Sequence, residues 1–336
     1  MSKARHAAVL AVDGGGSKTD VALVSRNGRV LGVARGPTCS HEVVGIDGVL
    51  GALRPTVAAA CAEAGIAPRD GLVAEIGAYC LSGVDMPADD RRLRAVLRGA
   101  DWTAEEVVRN DTFAVLRAGT DRGWGVGVVC GSGINCSAVG PDGRVVRFPA
   151  VGEFPAAAGG GGWLGQMALG AAVRGRDGRG PRTVLERTVP AHFGLHRPWS
   201  VLERMHVGRL PRERVLHELP PLVFAAAGAG DRVARSIVDS VADEVVAMVT
   251  TSLRRLRLVR AEVDVTLGGG VFRAEDPGFI RRIRAGVAAV APDANVRILD
   301  GPPLVGAALL GLDQTAAQNG SPARLRAQLT STRLQL

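Results

Sequence analysis

The stretch Ala7-Ala8-Val9-Leu10-Ala11-Val12-Asp13-Gly14-Gly15-Gly16-Ser17-Lys18-Thr19-Asp20-Val21-Ala22-Leu23-Val24 lies close to the start of the chain. Its first six residues are apolar without a break and read as a buried strand. Val21-Ala22-Leu23-Val24 reads as a second strand, and Arg26-Asn27-Gly28-Arg29 turns into a third, Val30-Leu31-Gly32-Val33. The glycines therefore sit in the turn of a hairpin, not between a strand and a helix. That excludes a Walker A or dinucleotide loop, which must open a helix and present its N-terminal N–H groups. A glycine hairpin can still wrap backbone N–H groups around phosphate oxygens, because missing Cβ atoms allow close approach. Asp13, at the strand end, is placed to organise a hydrated magnesium ion beside them. An ordinary glycine-rich β-turn is the competing reading of this segment alone.

The theme returns further on. Gly125-Val126-Gly127-Val128-Val129-Cys130 reads as a strand, Gly131-Ser132-Gly133-Ile134-Asn135 as its turn, and Cys136-Ser137-Ala138-Val139 as the return strand. Pro141-Asp142-Gly143-Arg144 then turns as Arg26-Asn27-Gly28-Arg29 does. Strand, glycine turn, strand, turn and strand thus occur twice, about 117 residues apart. Such a repeat implies a duplicated α/β architecture whose halves face each other across a cleft.

Between the repeats, a helix is expected from about Ile46 to Ala64, a strand over Val73–Tyr79, a Ser82-Gly83 loop, and a helix from Met86 to Arg98. The short strand Glu106–Arg109 runs into Asn110-Asp111-Thr112, residue types that cap a helix start. Helices are expected near Ala168–Val173, Thr183–Val189, Arg212–Glu218 and Val233–Leu258. The strand Val263–Leu267 runs into Gly268-Gly269-Gly270-Val271-Phe272; a strand at Val296–Leu299 precedes a last helix at Leu304–Gly311. The expected domains are 1–115, with the helix at about 304–312 packing back on it, and 116–303 with a helical insertion. The polar tail 313–336 is expected to be weakly ordered.

At 336 residues, two domains are the default. No apolar run reaches the ~18–20 residues of a membrane span, and no apolar leader precedes the first strand, so a cytoplasmic protein is expected. Five cysteines without CxxC spacing fit reduced thiols better than a disulfide framework. The net charge of +8 invites a nucleic-acid reading. Only Lys3 and Lys18 are lysine, however, the arginines are scattered over helices, and aromatic residues make up 4%. With no stacking platform in view, the arginines read as coding bias, and neither a nucleic acid nor a membrane is expected as a partner.

Three glycine turns in this order, each after a strand, resemble the actin-like sugar kinase and chaperone ATPase superfamily. Within it the chain is similar to the N-acetylglucosamine kinase and BadF-type ATPase family over residues 7–311. That family shows a DGGG(S/T)K(T/S) start, a strand ending in an aspartate, a G(S/T)G.N turn and a late GGVF. The resemblance implies a duplicated actin-like, ribonuclease H-like α/β fold, with a nucleotide cleft between two domains. It further implies ATP-dependent phosphorylation of an aminosugar or related hexose, with ATP and magnesium as cofactors, by a homodimer. Asp13 would hold magnesium through water, and Gly14, Gly15, Gly16, Ser17, Lys18 and Thr19 would surround the β/γ-phosphates. Gly131, Ser132 and Gly133 would close over them from the other domain, with Gly268, Gly269 and Gly270 as the adenosine motif.

By the same resemblance Asp111 would be the general base that accepts the sugar hydroxyl proton; a plain helix N-cap is the other reading. The loop Thr38-Cys39-Ser40-His41 aligns with the family's sugar loop, Ser40 standing where asparagine is usual. Ser40, His41, Asp111, Thr112 and Asn135 are thus the expected sugar contacts. Lys18 either adds a point charge to the phosphates or faces solvent, and Asn135 either reaches a hydroxyl or caps its turn.

One departure is plain. The family's Gly-Trp segment is followed by glycine-aspartate-glutamate-glycine, whereas Gly162-Trp163 here is followed by Leu164-Gly165-Gln166-Met167-Ala168. A pocket built to pair sugar hydroxyls loses selectivity when a partner carboxylate is missing. Glu153 is either its substitute in space or a surface glutamate. Two alternatives stay open on this ground: an activator ATPase of a 2-hydroxyacyl-CoA dehydratase-type system, using Cys130 or Cys136 on an iron–sulfur cluster, and a catalytically silent sugar sensor. The Cys-rich segment of zinc-containing ROK-type proteins is absent from the sequence.

Overall fold

A computed structural model describes residues 6–67, 71–150 and 158–334. The first half consists of β1 (Ala7–Gly14), β2 (Lys18–Val24), β3 (Val30–Pro37), α1 (His41–Val44), α2 (Gly48–Ala64), β4 (Ala74–Leu81), α3 (Pro87–Arg98) and β5 (Thr103–Asn110). After α4 (Asp111–Gly119) come β6 (Gly125–Cys130), β7 (Ile134–Val139) and β8 (Val145–Arg147). A helical run follows: α5 (Gly160–Asp177), α6 (Leu185–His192), α7 (Pro198–His206), α8 (Arg212–Glu218), α9 (Pro220–Gly228) and α10 (Arg232–Leu256). The chain ends with β9 (Val263–Gly268), a 3-10 turn at Gly270–Arg273, α11 (Pro277–Ala288), β10 (Ala294–Ile298), α12 (Leu304–Leu312) and α13 (Ser321–Gln328).

The strands form two five-stranded sheets, ordered β3-β2-β1-β4-β5 and β10-β9-β6-β7-β8. In each, an antiparallel hairpin and a third antiparallel strand lie beside two parallel crossover strands. The two sheets therefore share one topology, and the repeated glycine turns occupy equivalent positions at the tips of β1–β2 and β6–β7.

β1 is apolar from Ala7 to Val12 because it is the central strand and is covered on both faces there. Leu10 and Val12 pack with Leu53 and Val57 of α2 on one side, and Val9 and Ala11 with Ala307 and Ala308 of α12 on the other. α4 lies on the second sheet, where a Cβ on Gly127 would come within 2.3 Å of the Thr112 carbonyl. α12 lies on the first sheet, and it crosses α4 so tightly that a Cβ on Gly306 would sit 1.8 Å from the Ala114 carbonyl. Glycine is required at both contacts because backbone meets backbone.

Several elements differ from the sequence expectation. α5 begins at Gly160, eight residues ahead of the expected Ala168. α7, α9 and α11 were not expected, although Asp276 caps α11 and Pro277 sits at its first turn, a readable start signal. The stretch from 313, expected to be weakly ordered, contains α13. Leu325, Leu329 and Leu334 are buried against the first sheet, the Ser321 hydroxyl donates to the Arg26 carbonyl (2.9 Å), and Gln328 accepts the Val30 N–H (2.9 Å). These partners lie some 295 residues away in sequence, so local polarity concealed the order.

Candidate active site

The β1–β2 register pairs Gly14 with Thr19 and Asp13 with Asp20, and the turn closes through a bond from the Gly15 N–H to the Lys18 carbonyl (2.9 Å). Among the described residues the N–H groups of Gly16 and Ser17 donate to nothing. In the second turn the Gly131 N–H donates to Gly133 (2.9 Å), leaving the N–H groups of Ser132 and Gly133 without a partner among the described residues. A Cβ on Gly16 would come within 2.5 Å of the Ser132 hydroxyl, so the two turns abut across the cleft. Unpaired N–H groups on facing turns form a concavity suited to an anion.

Two anchors aim these groups. The Thr38 hydroxyl holds the Gly15 carbonyl (2.7 Å), and α5 holds the second turn: the N–H groups of Gly161 and Gly162 donate to the carbonyls of Gly131 (2.7 Å) and Ser132 (2.9 Å). In a trans peptide the carbonyl and the following N–H point in opposite directions. Fixing those carbonyls on α5 therefore turns the Ser132 and Gly133 N–H groups away from it. Gly160, at φ +86°, has the Gly133 backbone 2.6 Å from where a Cβ would be. The helix expected from sequence starts only at Ala168, which gives these glycines no such role. In the third turn, Gly268 packs on Val115 and Gly269 (φ +107°) on the Cys130 backbone, while Gly270 borders open space.

Two residues of the first turn stand apart from the phosphate concavity. Thr19 is fully buried, and its Oγ1 accepts the Cys39 N–H (3.0 Å), so it holds the Thr38–His41 loop in place. The Lys18 ammonium is exposed, 3.3 Å from Asp20, which Arg35 also grips with two bonds (2.6 and 3.0 Å).

Carboxylates line the cleft. Asp13 is pushed up to about 8, first by burial, then by the negative charges of Asp111 and Asp20, against the pull of Lys18 and Arg35. Asp111 opens α4, and Asn110 caps the helix by accepting the Thr112 N–H (3.0 Å). Burial is the largest cause holding Asp111 at about 7; backbone N–H groups of Thr112 and Asp111 oppose it and Glu42 adds to it. A helix N-terminus favours an anion by ~0.3–1 kcal/mol, less than the ~1.4 kcal/mol of a single pKa unit, so burial wins.

Asp85 is a third such carboxylate and was absent from the sequence reading, where an acid just before a helix start signals only capping. Its Oδ1 accepts from Asn110 Nδ2 and Asn135 Nδ2, both at 2.8 Å. Burial, Glu42 and Asp111 raise it to about 7, against Arg147 and the Ala150 N–H. Asn135 thus has partners for both polar ends, since its Oδ1 accepts the Cys136 N–H (2.7 Å). Thr112 is fully buried, its hydroxyl 2.6 Å from Asn110 Oδ1 and 2.7 Å from the Ser137 hydroxyl. It braces the site from behind and does not face the cleft.

Among the described residues, two polar atoms near Asp85 have no partner. His41 Nδ1 and Ser82 Oγ are buried and unbonded, although His41 Nε2 lies 3.8 Å from Asp89. The His41 ring borders Gly83, whose Cβ would meet it at 3.0 Å, and the Ser82 N–H ties this loop to the Gly14 carbonyl (2.7 Å). Buried polar atoms are normally satisfied, so these two are available to hydrogen-bond a ligand. Ser40 is buried beside them, its carbonyl taken by the N–H groups of Val43 and Val44.

The residues after Gly162-Trp163 form the body of α5, with Gln166 exposed. Glu153 lies outside the described residues. All five cysteines are free and buried; Cys130 and Cys136 are wholly covered, which pushes both thiols up to about 12.

The chain is similar to known proteins over most of its length. The chain is 24% identical to the N-acetyl-D-glucosamine kinase of Dictyostelium discoideum, over 90% of this chain and 97% of that protein. It is 25% identical to the N-acetylmuramic acid/N-acetylglucosamine kinase of Clostridium acetobutylicum, over 78% and 85%. A Chromobacterium violaceum structure assigned as an N-acetylglucosamine kinase superposes with a TM-score of 0.71 at 26% identity, over 90% of this chain and 98% of that one. A ROK family glucokinase from Streptomyces griseus, in complex with glucose and AMPPNP, shares the two-domain actin-like fold at a TM-score of 0.54 and 17% identity, over 90% and 98%. The model of the BadF/BadG/BcrA/BcrD ATPase family matches residues 10–311, and the chain belongs to that family.

Proposed function

We propose that this protein is an ATP-dependent aminosugar kinase, with Asp111 as its general base. The observation that carries the reading is the position of Asp111: a carboxyl held at about 7, at the helix start beside two abutting turns with unpaired N–H groups. A base is most effective when its pKa lies near the working pH. The names of the relatives at 24% and 25% identity support an N-acetylated aminosugar as the acceptor. The orphaned His41 Nδ1 and Ser82 Oγ supply the polar lining for such a sugar.

In the reaction, Asp111 takes the proton of one sugar hydroxyl as that oxygen attacks the γ-phosphorus. The bond from the γ-phosphorus to the β–γ bridging oxygen breaks, ADP leaves, and the proton passes from Asp111 to solvent. The N–H groups of Gly16, Ser17, Ser132 and Gly133 hold phosphate oxygens in line, and little covalent chemistry is asked of the protein. Gly270 leaves room beside the third turn for the nucleoside. Asp13 suits a magnesium ion bound through water: its carboxyl, crowded by Asp111 and Asp20, gains from a cation, and magnesium needs only one or two carboxylates besides phosphate. When bound, magnesium supplies charge neutralisation on the transferring phosphates.

The reading extends to the architecture. The moving bodies are residues 6–110 with 304–334, and residues 111–303, because α4 packs on the second sheet and α12 on the first. A cytoplasmic location suits five free buried thiols. A homodimer is tested by light scattering. The activator alternative loses its footing, since neither Cys130 nor Cys136 reaches a surface where a cluster between subunits would form.

A coupled ADP-release assay over N-acetylglucosamine, N-acetylmuramic acid, glucosamine, N-acetylmannosamine and glucose tests the proposal. Turnover with an N-acetylated sugar is expected. Sugar binding in a calorimeter without any turnover would leave a sensor in its place.

A further inference from the structure

We infer that Asp85 is a positioning residue that ties the closing of the two halves to the alignment of Asp111. The inference rests on Asp111 being the base. Asp85 belongs to the first half, in the loop between β4 and α3, yet a single oxygen of its carboxylate holds an amide from each half. Asn110 Nδ2 comes from the end of β5 and Asn135 Nδ2 from β7, each at 2.8 Å.

Neither amide is free to turn over. Asn110 Oδ1 accepts the N–H (3.0 Å) and the hydroxyl (2.6 Å) of Thr112, and Asn135 Oδ1 accepts the Cys136 N–H (2.7 Å). With both oxygens engaged by donors, each side chain can offer only its NH2 group to Asp85. A carboxylate accepts at up to about four lone-pair sites and donates none, and its bonds are roughly twice as strong as neutral ones. It therefore suits two donors arriving from opposite sides.

The chain of contacts continues to the base. Asn110 is the cap that sets the first turn of α4, and Asp111 is the next residue. Another bond crosses between the halves at the same place: Arg147 of β8 donates to the Val84 carbonyl (2.5 Å). Drawing the second half away removes Asn135 from Asp85 and Arg147 from the Val84 carbonyl together. Both losses fall on the Val84–Asp85 loop, whose carboxylate holds Asn110, the residue before Asp111. With the halves together, Asp85 and Asn110 hold the helix start in one geometry; apart, that hold loosens. Misplacing a reacting group by about 1 Å can cost ~100-fold in rate, so this coupling restricts the chemistry to the closed state.

The test compares wild type with Asp85→Ala, Asp85→Asn, Asn135→Ala and the double variant Asp85→Ala/Asn135→Ala. In steady state, Asp85→Ala should lower kcat by about 100-fold with the ATP KM changed less than about threefold. Asp85→Asn, which keeps an accepting oxygen, should recover at least tenfold of that loss. The double variant should be no slower than Asp85→Ala alone, because both changes break the same tie. Hydrogen exchange supplies a readout independent of turnover. Asn135→Ala, made in the other half, should speed exchange at Thr112–Leu116 as Asp85→Ala does. A wild-type exchange rate there in Asn135→Ala, additive kinetic losses, or an unchanged kcat in Asp85→Ala would each overturn the tie. If wild type instead transfers phosphoryl to no sugar while Asn135→Ala still loosens Thr112–Leu116, the kinase reading fails and the tie between the halves stands.

Discussion

Asp111 shows how burial converts a helix-capping acid into a group with chemical use. Its carboxyl is held at about 7, so the form that accepts a proton dominates only above that pH. The logarithm of kcat/KM should rise with a slope near one below about pH 7 and level off above it; a flat profile between pH 5 and 8 would remove Asp111 as the base. Asp111→Ala should reduce kcat by at least about 100-fold while ATP binding, measured by calorimetry, is kept. The same shifts bear on stability. Asp13, Asp85 and Asp111 hold their protons more tightly in the folded chain, raised from the ordinary carboxylate value of 3.8 to about 7 or 8, so the folded state is favoured most below that range. The ligand-free midpoint of unfolding should therefore fall as pH rises from about 4 to about 8, and magnesium with ATP should flatten the slope; a midpoint that rises over this window contradicts the assignment. Asp111 was legible because Asn-Asp-Thr after a strand spells a helix start. Asp85 was not, because its partners Asn110 and Asn135 lie 25 and 50 residues away.

At the scale of elements, the second phosphate turn is shaped by a helix that the sequence conceals. The expected helix starts only at Ala168, since the four glycines Gly159 to Gly162 give no helix signal: glycine is a poor helix former, costing ~1 kcal/mol per position. The helix starts at these glycines because its first N–H groups must reach two carbonyls of the turn, and any Cβ on Gly160 would overlap the Gly133 backbone at 2.6 Å. Gly160→Ala should therefore raise the ATP KM roughly tenfold or more, through loss of turn geometry, and lower stability, because φ +86° strains any other residue. Gly170→Ala, on the same helix with open space beside it, serves as the control and should hold or slightly raise the melting midpoint. Equal damage from both substitutions would mean that helix α5 as a whole, not its contact with the turn, is what matters.

Across the whole molecule, the C-terminal segment holds the first sheet and the crossing helices together. Arg117 of α4 grips Asp313 after α12 with two bonds (2.8 and 3.0 Å), and Arg326 of α13 donates to the Ala118 carbonyl. Ending the chain at Gln318 would expose the surface that Leu325, Leu329 and Leu334 cover. Each of these three leucines contributes ~2 kcal/mol by burial, so the melting midpoint should fall by at least the roughly 4–8 °C that one of them is worth, as read by calorimetry. A truncated protein as stable as the full chain would show that the segment only rests on the surface.

The strands, the duplication and the three glycine turns were legible because each is local: an apolar run, a Cβ-free turn and a period repeat within a few residues of one another. What lay beyond local reading is which groups those elements bring together. Thr19 and Thr112 suit ligand contacts in the linear text, and both are consumed by protein partners in space. Asn135 stands in a phosphate turn and spends its amide on a carboxylate from the other half. Hydrogen-bond partners are settled by packing between segments far apart in sequence, and a donor already satisfied by the protein cannot serve the ligand.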